Sequence, residues 1–189
     1  MHEADFEKQK QSTLSKRDKS KKGCVDEEIK PLIDLINSNH NFYTTSSCSG
    51  RIALIAKKSE KKIDAEWLFI SHNPIAIKDI EGSLTNLPSE QVWFKQESCI
   101  IHACARTLED ANKLVYIAKL CGFKRSCITS AGKRILVEVS STESIETIIA
   151  DNGTLLITKE YLNKLVEEAN KKMYKNKTKI EKLFDRLRC

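Results

Sequence analysis

The sequence predicts a fold that mixes α-helices with short β-strands and is not of the doubly wound parallel kind. Three observations predict it. Apolar residues recur at helical spacing in separate stretches, the longest after Thr158. Between those stretches lie short runs rich in β-branched and aromatic residues, bounded by Gly, Ser, Asn and charged clusters. No Gly-x-Gly follows any such run, so the dinucleotide-binding fingerprint is missing.

Taken in order, residues 1–24 are polar, with Lys or Arg at 8, 10, 16, 17, 19, 21 and 22. Only Phe6 and Leu14 are able to pack. This is a basic arm, read either as a fraying helix or as a solvated tail. Residues 25–189 are expected to form a single domain that ends in a long helix. Val25 to Ile29 opens its first helix, with Asp26 as N-cap and acids suiting the helix dipole. Pro31 is tolerated only near the start, so the regular helix begins late. Ile29, Ile33 and Ile36 mark the buried stripe, and His40 in the following loop reads as exposed.

Residues 42–51, Phe-Tyr-Thr-Thr-Ser-Ser-Cys-Ser-Gly-Arg, read as strand, turn and the start of a second strand. The expected hairpin turn is rich in hydroxyls. Ser46, Ser47 and Ser49 both donate and accept hydrogen bonds. Gly50 allows close approach of the backbone, and Arg51 offers a planar fork of donors. The set suits an anionic, oxygen-rich ligand. An ordinary polar hairpin turn is the competing reading.

A charged loop at Lys57 to Lys62 and a short strand at Trp67 to Ile70 follow. Pro74 to Leu84 is expected to be helical, weakened by Gly82. Two strands come next, Gln91 to Gln96 and Cys99 to Ala105. In the first, Trp93 and Lys95 share the face opposite Val92 and Phe94. Exposed, that pair suits base stacking and phosphate contact; packed, it is a core Trp beside a snorkelling Lys. In the second, His102 and Arg106 share a face with Ile100 and Cys104.

Thr107 caps a helix to Cys121, and Gly122 closes it. Strands at Ile128-Thr129 and Ile135 to Val139 flank a small basic turn, Ser130 to Arg134, which includes Gly132 and Lys133. It reads as a weak anion-binding turn or a plain hairpin. Ser141 to Ile149 is expected to be irregular. Asn152-Gly153 is a strong turn signal. The last helix carries ten Lys or Arg against five Asp or Glu between Lys159 and Cys189.

Over the 189 residues, Lys plus Arg exceed Asp plus Glu by 32 − 26 = 6. That excess fits RNA or another polyanion. No apolar run is long enough to span a membrane, and the N-terminus does not read as a signal peptide. A cytoplasmic protein is expected. The seven cysteines include no Cys-x-x-Cys pair. Neither a disulfide framework nor a metal site is expected from that spacing. Most of these cysteines are expected to be small core residues.

The order of these stretches resembles the tRNA wybutosine-synthesizing protein 3 family of methyltransferases. The likeness begins at Val25-Asp26 and includes Tyr43 to Ile52, the most distinctive motif. It continues through Val92 to Lys95, His102 to Arg106, Gly122 to Ser126, Gly132 to Arg134 and Tyr161 to Asn170. One departure is visible. The family strand reads His-x-x-Cys-Arg, whereas here it reads His102-Ala103-Cys104-Ala105-Arg106. The cysteine has changed face, and no direct role is expected for it.

The resemblance implies an α+β fold with a mixed, largely antiparallel sheet and flanking helices. It implies methyl transfer from S-adenosylmethionine to N-4 of the tricyclic wybutosine precursor next to the anticodon of tRNA(Phe). Ser46, Ser47, Cys48, Gly50 and Arg51 are then expected at the cofactor, and His102 at proton transfer. Trp93, Lys95, Arg106, Gly132, Lys133 and Asn170 are expected at the substrate or RNA, with no metal. The oligomeric state stays open. The alternatives are a non-catalytic tRNA-binding protein and a small metal-dependent enzyme using Cys and His.

Overall fold

The computed structural model describes residues 3–16, 25–57 and 65–188. The basic residues at 17, 19, 21 and 22, most of the charged loop after Lys57, and Cys24 and Cys189 lie outside the described residues. The chain divides into two compact units. The first comprises Met1–Ser49, Cys99–Thr142 and Asn176–Cys189. The second comprises Gly50–Ser98 and Glu143–Lys175.

The first unit is built on a four-stranded sheet of β1 (Phe42–Cys48), β5 (Ile100–Ala105), β6 (Cys127–Ala131) and β7 (Ile135–Ser140). Its order is β1-β5-β7-β6, and every pairing is antiparallel. Because side chains alternate along a strand, each face has its own cover. On one face lie Ile101, Ala103, Ala105, Val137 and Val139, all fully buried. They pack with α2 (Lys30–Ser38), α4 (Leu108–Leu120) and the end of α5 (Lys159–Arg188) through Leu32, Ile36, Leu114, Ala118, Ile180 and Leu183. On the opposite face, α1 (Glu3–Leu14) inserts Phe6 against Tyr43, with ring centroids 5.3 Å apart, beside Cys104. The first half of the basic arm is therefore a docked helix.

The caps explain the helix ends. Thr107 Oγ1 accepts from the backbone N–H of Asp110, the interaction expected of an N-cap. Gly122 takes φ 99°, a conformation that L side chains rarely adopt, and ends α4. Asp26 does not cap as expected. The regular helix starts at Lys30, beyond a turn whose first bonds go to the Asp26 backbone carbonyl. The Asp26 carboxylate goes elsewhere, as shown below.

The second unit carries β3 (Ala65–Ser71), β2 (Arg51–Lys57), β4 (Gln91–Glu97), β8 (Ile145–Asp151) and β9 (Thr154–Leu155), paired antiparallel in that order. Ile52, Leu54, Val92 and Phe94 form one face and pack with Leu162, Leu165, Val166, Ala169 and Met173 of α5. Helix propensity is weak between Pro74 and Leu84, and only α3 (Lys78–Glu81) and a 3₁₀ turn at Gly82–Leu84 form there. Ile75 and Ile80 still reach the core. Asn152 and Gly153, at φ 48° and 72°, make the turn between β8 and β9 that the sequence signalled.

The α+β class holds, with antiparallel pairing in two sheets. Two further local expectations are corrected. Residues 42–51 do not form a hairpin: β1 pairs with β5, whereas β2 pairs with β3 and β4. The segment 141–149 is not irregular, because Ile145 onward pairs with β4 as β8. In both places a distant strand supplies the hydrogen-bond partner, and local propensity yields to it.

Candidate functional site

The hydroxyl-rich stretch lies mostly in β1, and its pairing with β5 decides which hydroxyls face which way. The register reads Thr44 opposite Ala103, then Ser46 opposite His102. Thr45 is the extra residue of a β-bulge. The bulge sets Ser46, not its neighbour, across from His102. On the other side of β5, Glu138 of β7 is also opposite His102. Three polar side chains thus form one row across three adjacent strands.

Their hydrogen bonds run along that row. Ser46 Oγ lies 2.9 Å from His102 Nδ1. His102 Nε2 lies 3.1 Å from Glu138 Oε2. Ser140 Oγ donates to Glu138 Oε1 at 2.9 Å. A carboxylate only accepts, so Nε2 carries the proton it donates to Glu138. In a neutral ring, Nδ1 then accepts from the Ser46 hydroxyl. His102 and Glu138 are partly exposed, and Ser46 is exposed. The row is a hydroxyl held against an oriented imidazole, open to a reactant.

The end of the motif in this unit is held by a residue that sequence reading had placed at a helix cap. Asp26 Oδ2 accepts from the backbone N–H of Ser49 at 3.0 Å and from Ser49 Oγ at 3.1 Å. Cys99 is wholly buried nearby. Burial pushes its thiol well above the usual range, with Cys48 and Asp26 adding to the effect. Cys48 is half-buried and points to the same side as Ser46. Ser47 alternates to the opposite face.

Arg106 does not join the row. Its guanidinium is held by Glu7, donates to the carbonyl of His40 at 2.8 Å and lies 4.8 Å from the Phe6 ring centre. It anchors α1. Gly132 and Lys133 lie in the exposed turn between β6 and β7.

In the second unit, Gly50 and Arg51 lead into β2. Gly50 takes φ 102°, so its place in the motif requires glycine. His72 Nδ1 lies 3.0 Å from the Gly50 carbonyl oxygen. Arg51 Nε donates to Glu97 Oε2 at 2.5 Å, and its guanidinium lies 4.5 Å from the centre of the Trp67 ring. Among the described residues its Nη groups have no hydrogen-bond partner. Sequence reading missed Asp26 and His72 as motif partners. They stand 23 and 22 residues from the atoms they hold, beyond the reach of any local pattern.

Trp93 and Lys95 do share the face away from α5, as expected from alternation. Lys95 is engaged there by Glu146 at 2.6 Å, and Lys57 lies 3.9 Å from the Trp93 ring centre. Lys95 and Lys57 hold the Glu146 carboxyl below the usual carboxylate range, Lys95 most of all, through its hydrogen bond. Trp93 Nε1 is buried with no hydrogen-bond partner among the described residues. Asn170 uses its amide on the chain itself. It accepts from Ile75 N–H at 2.9 Å and donates to Ile75 C=O at 2.8 Å, which ties the α3 segment to α5.

These features define a class: an α+β protein with two antiparallel sheets rather than a doubly wound parallel one. The chain belongs to the methyltransferase TYW3 family, whose pattern matches residues 8–189. A Pyrococcus horikoshii relative named tRNA(Phe) 7-((3-amino-3-carboxypropyl)-4-demethylwyosine(37)-N(4))-methyltransferase 1 is 40% identical over 186 residues, covering 97% of this chain and 95% of its own. A mouse (Mus musculus) tRNA wybutosine-synthesizing protein 3 homolog is 39% identical over 190 residues, covering 97% of this chain and 73% of its own. A solved Pyrococcus horikoshii structure superposes with a TM-score of 0.89 at 40% identity, covering 98% of this chain and 97% of that one. The resemblance carried by Tyr43 to Ile52 is thereby confirmed as kinship. Among the described residues no helix is long and apolar enough to cross a membrane.

Proposed function

We propose that this protein transfers a methyl group to the N-4 nitrogen of the 7-(3-amino-3-carboxypropyl)-4-demethylwyosine base of tRNA(Phe), in the cytoplasm. One observation carries the reading. Relatives named for that reaction align with 95% or more of this chain at about 40% identity. The cofactor is S-adenosylmethionine, which supplies an electrophilic methyl on a sulfonium centre. The donor set fits such a ligand. Arg51 has Nη donors without a partner among the described residues, next to a glycine-only backbone turn at Gly50. A guanidinium fork pairs with a carboxylate, the group at the end of the cofactor's methionine part and of the substrate's aminocarboxypropyl arm.

The chain's own contribution is positioning and proton handling. A ring nitrogen that gains a methyl and ends neutral must lose its proton. Ser46 Oγ takes that proton while passing its own to His102 Nδ1. Glu138 holds the Nε2–H and stabilises the imidazolium that results. Asp26 and His72 fix the backbone at Ser49 and Gly50.

The test is incubation of the purified protein with tRNA from cells lacking this activity, labelled S-adenosylmethionine and chelator. Label in the tricyclic base is expected. Tight tRNA binding with no label would replace the reading with that of a tRNA-binding protein without catalysis. Label abolished by chelator would replace it with a metal-dependent mechanism.

A further inference from the structure

A basic surface of the first unit lies outside the row of Ser46, His102 and Glu138. It is centred on the C-terminal end of α4. Gly122 ends that helix, and the loop to Ser126 folds back against the last turns of α5. Cys121 Sγ lies 3.5 Å from the carbonyl oxygen of Lys182. A Cβ placed on Gly122 would stand 3.0 Å from Lys179 Cε. Burial raises the Cys121 thiol above its ordinary value; the positive charges of Arg186 and Lys182 oppose that rise and so reach this spot.

The loop itself is rigidly held. Phe123 is fully buried. Ser126 is buried, donates to the Phe123 carbonyl at 2.7 Å and accepts from Ser140 N–H at 3.3 Å. Arg125 N–H donates to the Ser140 carbonyl at 3.2 Å. This framework points Lys124 and Arg125 outward, and both are exposed. Lys119, Lys182 and Arg186 are exposed as well. Among the described residues none of these five cations has an ion-pair partner. The nearest acids on α5, Glu181 and Asp185, lie one residue round the helix from Lys182 and Arg186.

Beside the cations stands an aromatic ring that the fold leaves uncovered. Tyr116 is 64% exposed and Leu120 is 52% exposed. Lys113 and Lys119 flank Tyr116 at i−3 and i+3, on the same face of α4. Five unpaired cations near one another repel, and a polyanion relieves that repulsion. A planar side chain set among them suits stacking on an unpaired base. A membrane surface or an acidic peptide would also take the charge, but the relatives of this chain are named for a reaction on tRNA(Phe), which favours an RNA backbone.

We propose that the C-terminal end of α4, with Lys119, Lys124, Arg125, Lys182 and Arg186, is a contact surface for the tRNA backbone, and that Tyr116 stacks on a base there. This rests on the reading of the protein as a tRNA methyltransferase. The surface supplies affinity, not chemistry.

The experiment compares the full chain with K119Q/K124Q/R125Q and with Tyr116→Ala. Binding of hypomodified tRNA(Phe) is measured across a salt series, along with methyl transfer and thermal unfolding. Each lost phosphate contact should flatten the slope of log affinity against log salt by about 0.7–0.9, or about two to three for the triple variant. KM for tRNA should rise, while the rate at saturating tRNA and the unfolding temperature stay unchanged. Tyr116→Ala should weaken binding without altering the slope. An unchanged slope and KM in a protein that does methylate tRNA would overturn this surface and leave the reaction standing. A wild-type chain that neither binds nor methylates tRNA would overturn both. Loss of binding to phosphatidylserine vesicles, with tRNA binding intact, would assign the surface to a membrane and overturn it.

Discussion

Glu138 and His102, on neighbouring strands, are joined at 3.1 Å through Nε2, and the far nitrogen of the same ring meets Ser46 at 2.9 Å. The imidazole is therefore oriented by a carboxylate on one side and presented to a hydroxyl on the other. His102→Ala should lower the single-turnover methylation rate by on the order of 10²–10⁴-fold. Glu138→Gln keeps an acceptor but removes the charge. It should lower the single-turnover rate by less than His102→Ala does, because Gln still accepts from the Nε2–H but no longer offers a charge to stabilise the imidazolium formed when Ser46 passes on its proton. An unchanged single-turnover rate in Glu138→Gln would make the Glu138 contact structural only.

The row shows what the sequence carries and what it does not. Strand alternation put His102 on one face with Ile100 and Cys104, as the register shows, because that rule is local. It did not reveal Glu138 or the pairing with Ser46, which stand 36 and 56 residues away from His102. Serines read as a turn when considered alone, yet hydrogen bonding to β5 makes them a strand. Caps such as Thr107 and Gly122 were legible because their physics lies within four residues. Asp26 was a good cap by type, but Ser49 competes for its carboxylate and wins. Sharing a face on β5 does not bring His102 and Arg106 together, since Glu7 and Phe6 of α1 hold the guanidinium.

That hold on Arg106 makes the N-terminal helix part of the fold. Phe6 is fully buried against Tyr43 and Cys104, and Lys10 Nζ donates to the Asn39 carbonyl at 2.6 Å. Phe6→Ala should destabilise the protein by about 3–5 kcal/mol, the usual cost of removing a buried aromatic ring. Urea unfolding followed by circular dichroism measures it. A loss below about 1 kcal/mol would mean that α1 contributes little to the native state.

Arg51 should separate binding from folding. Its Glu97 partner is partly exposed, so the lost ion pair costs at most about 1 kcal/mol. Arg51→Ala should abolish measurable S-adenosylmethionine binding by calorimetry while leaving the unfolding temperature within a few degrees. Arg51→Lys should recover only part, because an ammonium lacks the planar fork. Identical isotherms for wild type and Arg51→Ala would assign the guanidinium to the Trp67 and Glu97 contacts alone.

The Lys95–Glu146–Lys57 cluster predicts a specific pH dependence of stability. Glu146 accepts from Lys95 at 2.6 Å and from Lys57 at 3.5 Å. These bonds favour its ionised form in the folded state and lower its pKa from the ordinary value of 4.5, although burial opposes them. A carboxyl whose folded pKa is depressed binds its proton less readily when folded than when unfolded. Its contribution is therefore full above the ordinary value and is lost as pH falls through the depressed one. Glu146 is half-exposed, so screening limits that contribution to about 1 kcal/mol or less. Glu146→Gln should be slightly less stable than wild type at neutral pH, and the gap should close on acidification below the ordinary carboxylate range. Added salt should narrow it at neutral pH. Denaturant unfolding of both proteins across pH is the measurement. A gap that stays constant down to strong acid would show that packing of the side chain, and not its charge, supports the sheet.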